Sequence, residues 1–157
     1  MPAAFQNATD CVIDRATHTI RFVRDLDAAP EQVFAAWTKP EEIACWWDAS
    51  GARLLNCEID LRPGGAFTFV SATNPDHVFS GIYDEIAPPR RLTFEANGAQ
   101  GRVLLDPRGA GTCMTVEIAC MSAEHLDHYL EVGVEVGTSQ TLTNLATYLR
   151  EQTVLAD

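Results

Sequence analysis

Positive charge is scarce in this sequence: 11 lysines and arginines stand against 22 acids over 157 residues, a formal net charge of −11. Such a chain is a poor partner for nucleic acid or an anionic membrane surface, and its acidity serves solubility instead. Long apolar runs are missing too. No stretch approaches the roughly eighteen apolar residues of a membrane span, and no apolar signal segment opens the chain, so membrane insertion is not expected. The five cysteines, Cys11, Cys45, Cys57, Cys113 and Cys120, contain no CxxC pair. An odd, unpaired set points to reduced thiols packed as small hydrophobes, in a soluble, cytoplasmic setting. Also absent are a Ser-His-Asp order, a nucleophile elbow, a Walker loop and a dinucleotide fingerprint. Arg62-Pro63-Gly64-Gly65 is a turn, too short and without the following helix needed to cradle phosphate. No cofactor is expected.

Proline is missing from one more place, Ser122–Gln152, and that absence permits a single long helix. Ser122 suits its N-cap and Glu124 its first turn. Its middle is weak: Gly133 and Gly137 each cost about 1 kcal/mol relative to alanine inside a helix, so tertiary packing has to hold it. The apolar stripe also changes sides there. Glu124, Asp127, His128, Glu131 and Glu135 share the polar sector of the first half, which Leu142, Leu145 and Leu149 occupy in the second. Two readings follow. In one the helix kinks at the glycines and Thr141 and Asn144 are solvated. In the other it lies across a cavity, the glycines make room, and Thr141, Asn144 and Tyr148 supply polar contacts in an apolar pocket.

The length fits one domain able to bury about 70% of the surface of its unfolded chain. Residues 1–18 form an N-terminal arm in which Cys11-Val12-Ile13 adds at most a short strand, 19–152 the domain, and 153–157 a tail. Thr19–Leu26 alternates as a strand. Pro30 opens a short helix with Val33, Phe34 and Trp37 on one face, and Thr38 is expected to cap a second one ending at Trp46-Trp47. Strands follow over Arg53–Leu61, Ala66–Val70, His77–Ile86, Arg91–Ala96, Gly101–Asp106 and Thr112–Met121, separated by Pro- and Gly-rich corners and by the hairpin signal Asn97-Gly98. The order describes an α+β fold with a curved antiparallel sheet.

Several spaced segments carry a resemblance: Ala29 to Ile43 followed by Trp46-Trp47, then Asp60-Leu61-Arg62-Pro63-Gly64-Gly65-Ala66-Phe67, Gly81-Ile82-Tyr83, and Pro88-Pro89-Arg90-Arg91-Leu92. In this order they resemble the Hsp90 ATPase activator homologue 1-like family of the START-like (SRPBCC, Bet v 1-like) superfamily, from about Thr19 to Arg150. The resemblance implies a helix-grip fold: about seven antiparallel strands around a long C-terminal helix, enclosing an apolar cavity for a lipid-like or aromatic molecule. One departure stands out. Family members place a Gly-Trp pair early in the last helix, whereas Thr138 follows Gly137 here, so an indole that would occupy part of the cavity is missing.

From these readings the ligand-facing set is Trp46, Phe67, Phe69, Tyr83, Phe94, Met114, Tyr129, Gly133, Gly137, Thr141 and Tyr148. The aromatics, with Trp37, Trp47 and Phe79, are core first and cavity wall second. His125 and His128 lack a third converging ligand, so no metal is expected. His77 reads as a loop histidine beside Asp76. Asp84, Glu85 and Glu117 are strand carboxylates whose alternation permits either face. Binding of a small hydrophobic molecule is the leading expectation. A polyketide cyclase or hydro-lyase using the same cavity, and a chaperone-associated interaction module, are the alternatives. A homodimer through an edge strand or the short helices is compatible with the sequence.

Overall fold

The computed structural model describes residues 11–156 except Asn74 and His77, with the backbone alone over 153–156. The expectation for His77, and most of that for the arm, lie outside the described residues. Eight antiparallel strands form one sheet: β1 (Cys11–Asp14), β2 (Thr19–Leu26), β3 (Asn56–Ile59), β4 (Ala66–Val70), β5 (Val78–Ala87), β6 (Arg91–Ala96), β7 (Ala99–Arg108) and β8 (Gly111–Ala119). Their order is β1-β2-β8-β7-β6-β5-β4-β3. The eighth strand is β1, which pairs with β2 from Cys11 opposite Phe22 to Asp14 opposite Thr19. Helices α1 (Pro30–Thr38) and α2 (Pro40–Ile43) connect β2 to β3, and α3 (Ala123–Glu131) and α4 (Val134–Ala156) end the chain.

Four local results depart from the sequence reading. The Thr38 hydroxyl donates to Phe34 O within α1 at 2.8 Å, so the N-cap position of α2 falls to Lys39 and has no side-chain cap. The strand expected from Arg53 begins only at Asn56, because Leu54 N is drawn to Ala44 O at the end of α2. Strands β7 and β8 continue through the expected corner at Pro107 and turn only at Gly109-Ala110.

The largest departure is the long helix, which is two. Gly133 adopts φ of +83°, a left-handed conformation open to glycine and unfavourable for other residues. It closes α3 as a C-terminal glycine, its N–H bonding to Leu130 O, while its own carbonyl accepts from Gly137 N in the first turn of α4. Of the two readings, the kink at the glycines is the one the backbone follows, and the break is set by one dihedral, that of Gly133.

α4 lies over the concave face of the sheet. Its far half buries Leu142, Leu145 and Leu149 almost completely, in one core with Ile20, Phe22, Leu26, Val33, Trp37 and Met114. Arg24 on β2 is also buried there and donates to Ser139 Oγ at 2.8 Å and Thr143 Oγ1 at 3.2 Å. On the other face Glu117 bridges Arg21 at 2.7 Å and Arg102 at 3.0 Å, joining three strands. Burial alone would raise the Glu117 carboxyl, but the hydrogen bond from Arg21 and the charges of Arg102 and Arg21 outweigh it and hold the pKa below the usual range. At the β3–β4 turn Arg62 pairs with Asp60 at 2.9 Å; both side chains are exposed and add little.

Candidate functional site

Strand alternation decides which side chains face α4. On the concave face stand Phe67 and Phe69 from β4, Phe79 and Tyr83 from β5, and Leu92, Phe94 and Ala96 from β6. Ala99, Gly101 and Val103 from β7 and Met114, Val116 and Ile118 from β8 complete it. At the β4–β6 end the rings interlock, with Phe67 5.0 Å from Tyr83 and 5.5 Å from Phe94. Trp47, from the segment after α2, closes on Phe69 at 5.0 Å and Phe79 at 5.2 Å. Past Phe94 the wall shrinks to Ala96, Ala99 and Gly101. A Cβ on Gly101 would come within 2.4 Å of the Phe94 ring, so that ring rests on bare backbone.

Opposite these small residues α4 presents Val134, Gly137, Thr138 and Thr141, and a Cβ on Gly137 would meet nothing within 4 Å. Two facing surfaces of small side chains leave a hollow of about 380 Å³ between sheet and helix. That volume falls in the range of small-molecule sites, roughly 300–1,000 Å³. Trp37, Trp47, Leu54, Phe69, Phe79, Phe94, Val116, Ile118 and Leu142 make most of its wall apolar.

Few polar groups border the hollow. Asp48 is largely buried: its Oδ1 accepts from Ser50 N at 3.0 Å and Ser50 Oγ at 2.8 Å, its Oδ2 from Ser71 Oγ at 2.6 Å and Thr73 Oγ1 at 3.4 Å. Desolvation pushes its pKa up, but the hydrogen bonds from Ser71, Ser50 and Thr73 prevail and leave it below the ordinary value. It is therefore a fixed anion at neutral pH. The Tyr129 hydroxyl donates to Asn97 O at 3.3 Å, and its ring meets His125 edge-on at 4.5 Å; burial, then the nearby Cys120, push the phenol up. Thr141 Oγ1 donates to Gly137 O and Trp47 O. The Thr138 hydroxyl has no hydrogen-bond partner among the described residues.

Neither sequence reading of Thr141, Asn144 and Tyr148 describes all that these residues do. All three are half-buried and hydrogen-bonded; Thr141 borders the hollow, as the cavity reading expects, and the other two lie away from it. Asn144 Nδ2 donates to Asp48 O at 3.0 Å and Trp46 O at 3.5 Å, and Tyr148 Oη to Glu42 Oε1 at 3.0 Å. Together with Thr141 they clamp α4 to α2 and the segment after it, which fixes the distance across the hollow. Burial, reinforced by the hydrogen bond to Glu42, raises the Tyr148 pKa, so it is a donor at every working pH.

Of the residues expected to face a ligand, Phe69, Phe94, Tyr129, Gly137 and Thr141 border the hollow. Trp46 is fully buried behind it, its indole N–H donating to Ala36 O at 3.1 Å. Trp37 stands edge-on to it at 4.8 Å and is on the wall; its indole N–H is buried without an acceptor, so packing alone orients it. Phe67 and Tyr83 lie behind Phe69 and Phe94 and line a minor void; Met114 is wholly core, and Gly133 sits at the helix break. Missing from that set are the small residues Ala96, Ala99 and Gly101, the polar Asp48 and Ser71, and Thr138. Thr138 had a signal, as the position where the resemblance implies an indole. The histidines do not converge: His125 Nδ1 accepts from Met121 N, and no cluster of three or more metal-ligating side chains occurs among the described residues. Glu85 pairs with Arg91 at 2.6 Å on the exposed surface, and the Glu117 carboxylate points away from the hollow that its strand borders.

Comparison with known proteins agrees with this fold. The sequence profile of one family, described as Activator of Hsp90 ATPase homolog 1-like protein, matches residues 27–150. No curated protein matches the sequence. Among solved structures, a protein from Nitrosomonas europaea superposes with a TM-score of 0.77 at 22% identity, covering 87% of this chain and 96% of that one. A protein from Chromobacterium violaceum gives 0.67 at 28% identity, over 83% of this chain and 96% of that one. CalU16 from Micromonospora echinospora gives 0.62 at 27% identity, over 87% and 78%. No helix among the described residues is long and apolar enough to cross a membrane.

Proposed function

The chain belongs to the Activator of Hsp90 ATPase homolog 1-like family, and from the hollow in its fold we propose that it binds a small apolar molecule between the sheet and α4. The observation that carries this reading is a 380 Å³ cavity walled mainly by aromatic and aliphatic side chains. Empty apolar space of that size forgoes dispersion contacts, which a ligand of matching shape supplies. The roughly 25 cal/mol per Å² gained on burying apolar surface then favours occupancy.

The enzyme alternative has less to support it. General acid–base work calls for a carboxylate or histidine with a free lone pair or proton facing the substrate. Asp48 has its acceptor sites engaged by Ser50, Ser71 and Thr73. The interaction-module alternative expects a contiguous exposed apolar patch on the sheet or on the Trp37–Trp47 region, and in that region Trp37 and Trp46 are 5% and 0% exposed while Trp47 is half-buried.

Isothermal titration with 2-naphthol, a neutral two-ring probe, tests the reading. Saturable one-to-one binding is expected, lost in a Thr138→Trp variant that puts an indole into the hollow. Binding that survives Thr138→Trp unchanged would place the probe elsewhere and overturn the proposal.

A further inference from the structure

The wall residues carry more than size; they carry a charge pattern. Among the described residues bordering the hollow there is no lysine, arginine or histidine, while Asp48 is an anion buried at its edge. Glu117, the other acid of the bordering strands, is neutralised by Arg21 and Arg102 on the opposite face. The described wall therefore presents one negative charge with no cationic side chain beside it, within a molecule of net charge −11. A carboxylate or phosphate entering the hollow would leave water without gaining a cation, and would sit near a like charge.

A cation fares little better. A carboxylate offers about four acceptor positions, and Asp48 uses them on Ser50 N, Ser50 Oγ, Ser71 Oγ and Thr73 Oγ1. An ammonium group would be drawn by the charge yet find no open lone pair to replace its water. The hydroxyls tell the same story. Tyr129 is committed to Asn97 O, and Thr141 to Gly137 O and Trp47 O. Thr138 differs: the residue borders the hollow and its hydroxyl is engaged by no described residue, although Thr141, Thr143 and Thr147 on the same helix each donate to the carbonyl four residues back.

Resting on the binding reading above, we infer that the ligand is an uncharged ring compound carrying a hydroxyl or carbonyl oxygen that hydrogen-bonds to Thr138, and that fatty acids and other anionic lipids are excluded. Volume agrees. The hollow lies near the lower end of the roughly 300–1,000 Å³ range, which suits a few fused rings and not a diacyl lipid.

Four probes of one shape separate the terms: naphthalene, 2-naphthol, 2-naphthoate and 2-naphthylmethylammonium, titrated into the full chain at neutral pH. 2-Naphthol is expected to bind tightest, and 2-naphthoate about tenfold or more weaker. Thr138→Val, which keeps the shape and removes the hydroxyl, is expected to weaken 2-naphthol about three- to tenfold and leave naphthalene unchanged. Asp48→Asn is expected to narrow the gap between naphthoate and naphthol; the wild-type gap is informative even where that variant folds poorly. Naphthoate or the ammonium binding as tightly as naphthol overturns this inference and leaves the binding reading standing, as does a Thr138→Val variant indistinguishable from wild type. Failure of all four probes to bind overturns the binding reading and the inference with it.

Discussion

The two halves of α4 face one sheet and are finished in opposite ways. The far half buries Leu145 and Leu149 almost completely in one core with Ile20, Phe22 and Leu26, with Leu142 at the boundary between core and hollow. The near half sets Gly137, Thr138 and Thr141 against Ala96, Ala99 and Gly101 and leaves about 380 Å³. Backbone geometry is much the same in both; side-chain volume makes the difference. The packed half supplies buried core, and the hollow half supplies the space in which a ligand is proposed to bind.

Altering each half in turn sharpens that contrast. Emptying the packed half with Leu145→Ala is expected to cost about 2–5 kcal/mol, since the side chain is wholly buried. A urea titration showing less than about 1 kcal/mol lost would mean that the far half is no better packed than the near one. Filling the hollow half with Thr138→Trp is expected to abolish probe binding while the unfolding free energy stays within about 1 kcal/mol of wild type.

The two glycines make a finer comparison. At Gly133, where φ is +83° and a Cβ would touch nothing, alanine is expected to cost about 1–2 kcal/mol through the backbone alone. At Gly137, an ordinary helical position with equal room, alanine is expected to stabilise by roughly 0.5–1 kcal/mol. Thermal melts of both variants should move in opposite directions; melts moving together would put the helix break elsewhere.

The smallest effect concerns acid. Glu117 binds its proton less readily folded than unfolded, so the pairing with Arg21 and Arg102 stabilises fully above the unfolded value, near pH 4.3. That contribution fades as pH falls through the lower folded value. Glu117→Gln should flatten the loss of stability on acidification below about pH 5, without changing affinity for a neutral probe. An unchanged acid limb would assign the loss to Asp48 instead.

The fold was legible because alternation states it outright: Thr19–Leu26, Ala66–Val70 and Arg91–Ala96 are strands over the residues that their period and turns mark. The helix break was legible in part: the change of sides in the apolar stripe marked a kink at Gly133 and Gly137, whereas the left-handed dihedral that makes two helices of one is decided by what α3 and α4 must each pack against. The site was half legible for a related reason. Pattern reading notices large apolar residues, and large residues such as Trp46 and Met114 are what fill a core. A cavity is made by Ala96, Ala99 and Gly101, which carry no periodic signal of their own. Its existence was foreseen chiefly at Thr138, where an indole was expected and is missing.

Asn144 and Thr141 hold the segment after α2 by its main-chain carbonyls, those of Trp46, Trp47 and Asp48. A grip on carbonyls is indifferent to the residues that bear them. The grip of α4 therefore survives exchange of Trp47 or Asp48, although the Asp48 carboxylate has ties of its own to Ser50, Ser71 and Thr73. Descendants of one scaffold can acquire new tastes by substitution at these two positions, while the helix that spans the chamber stays moored.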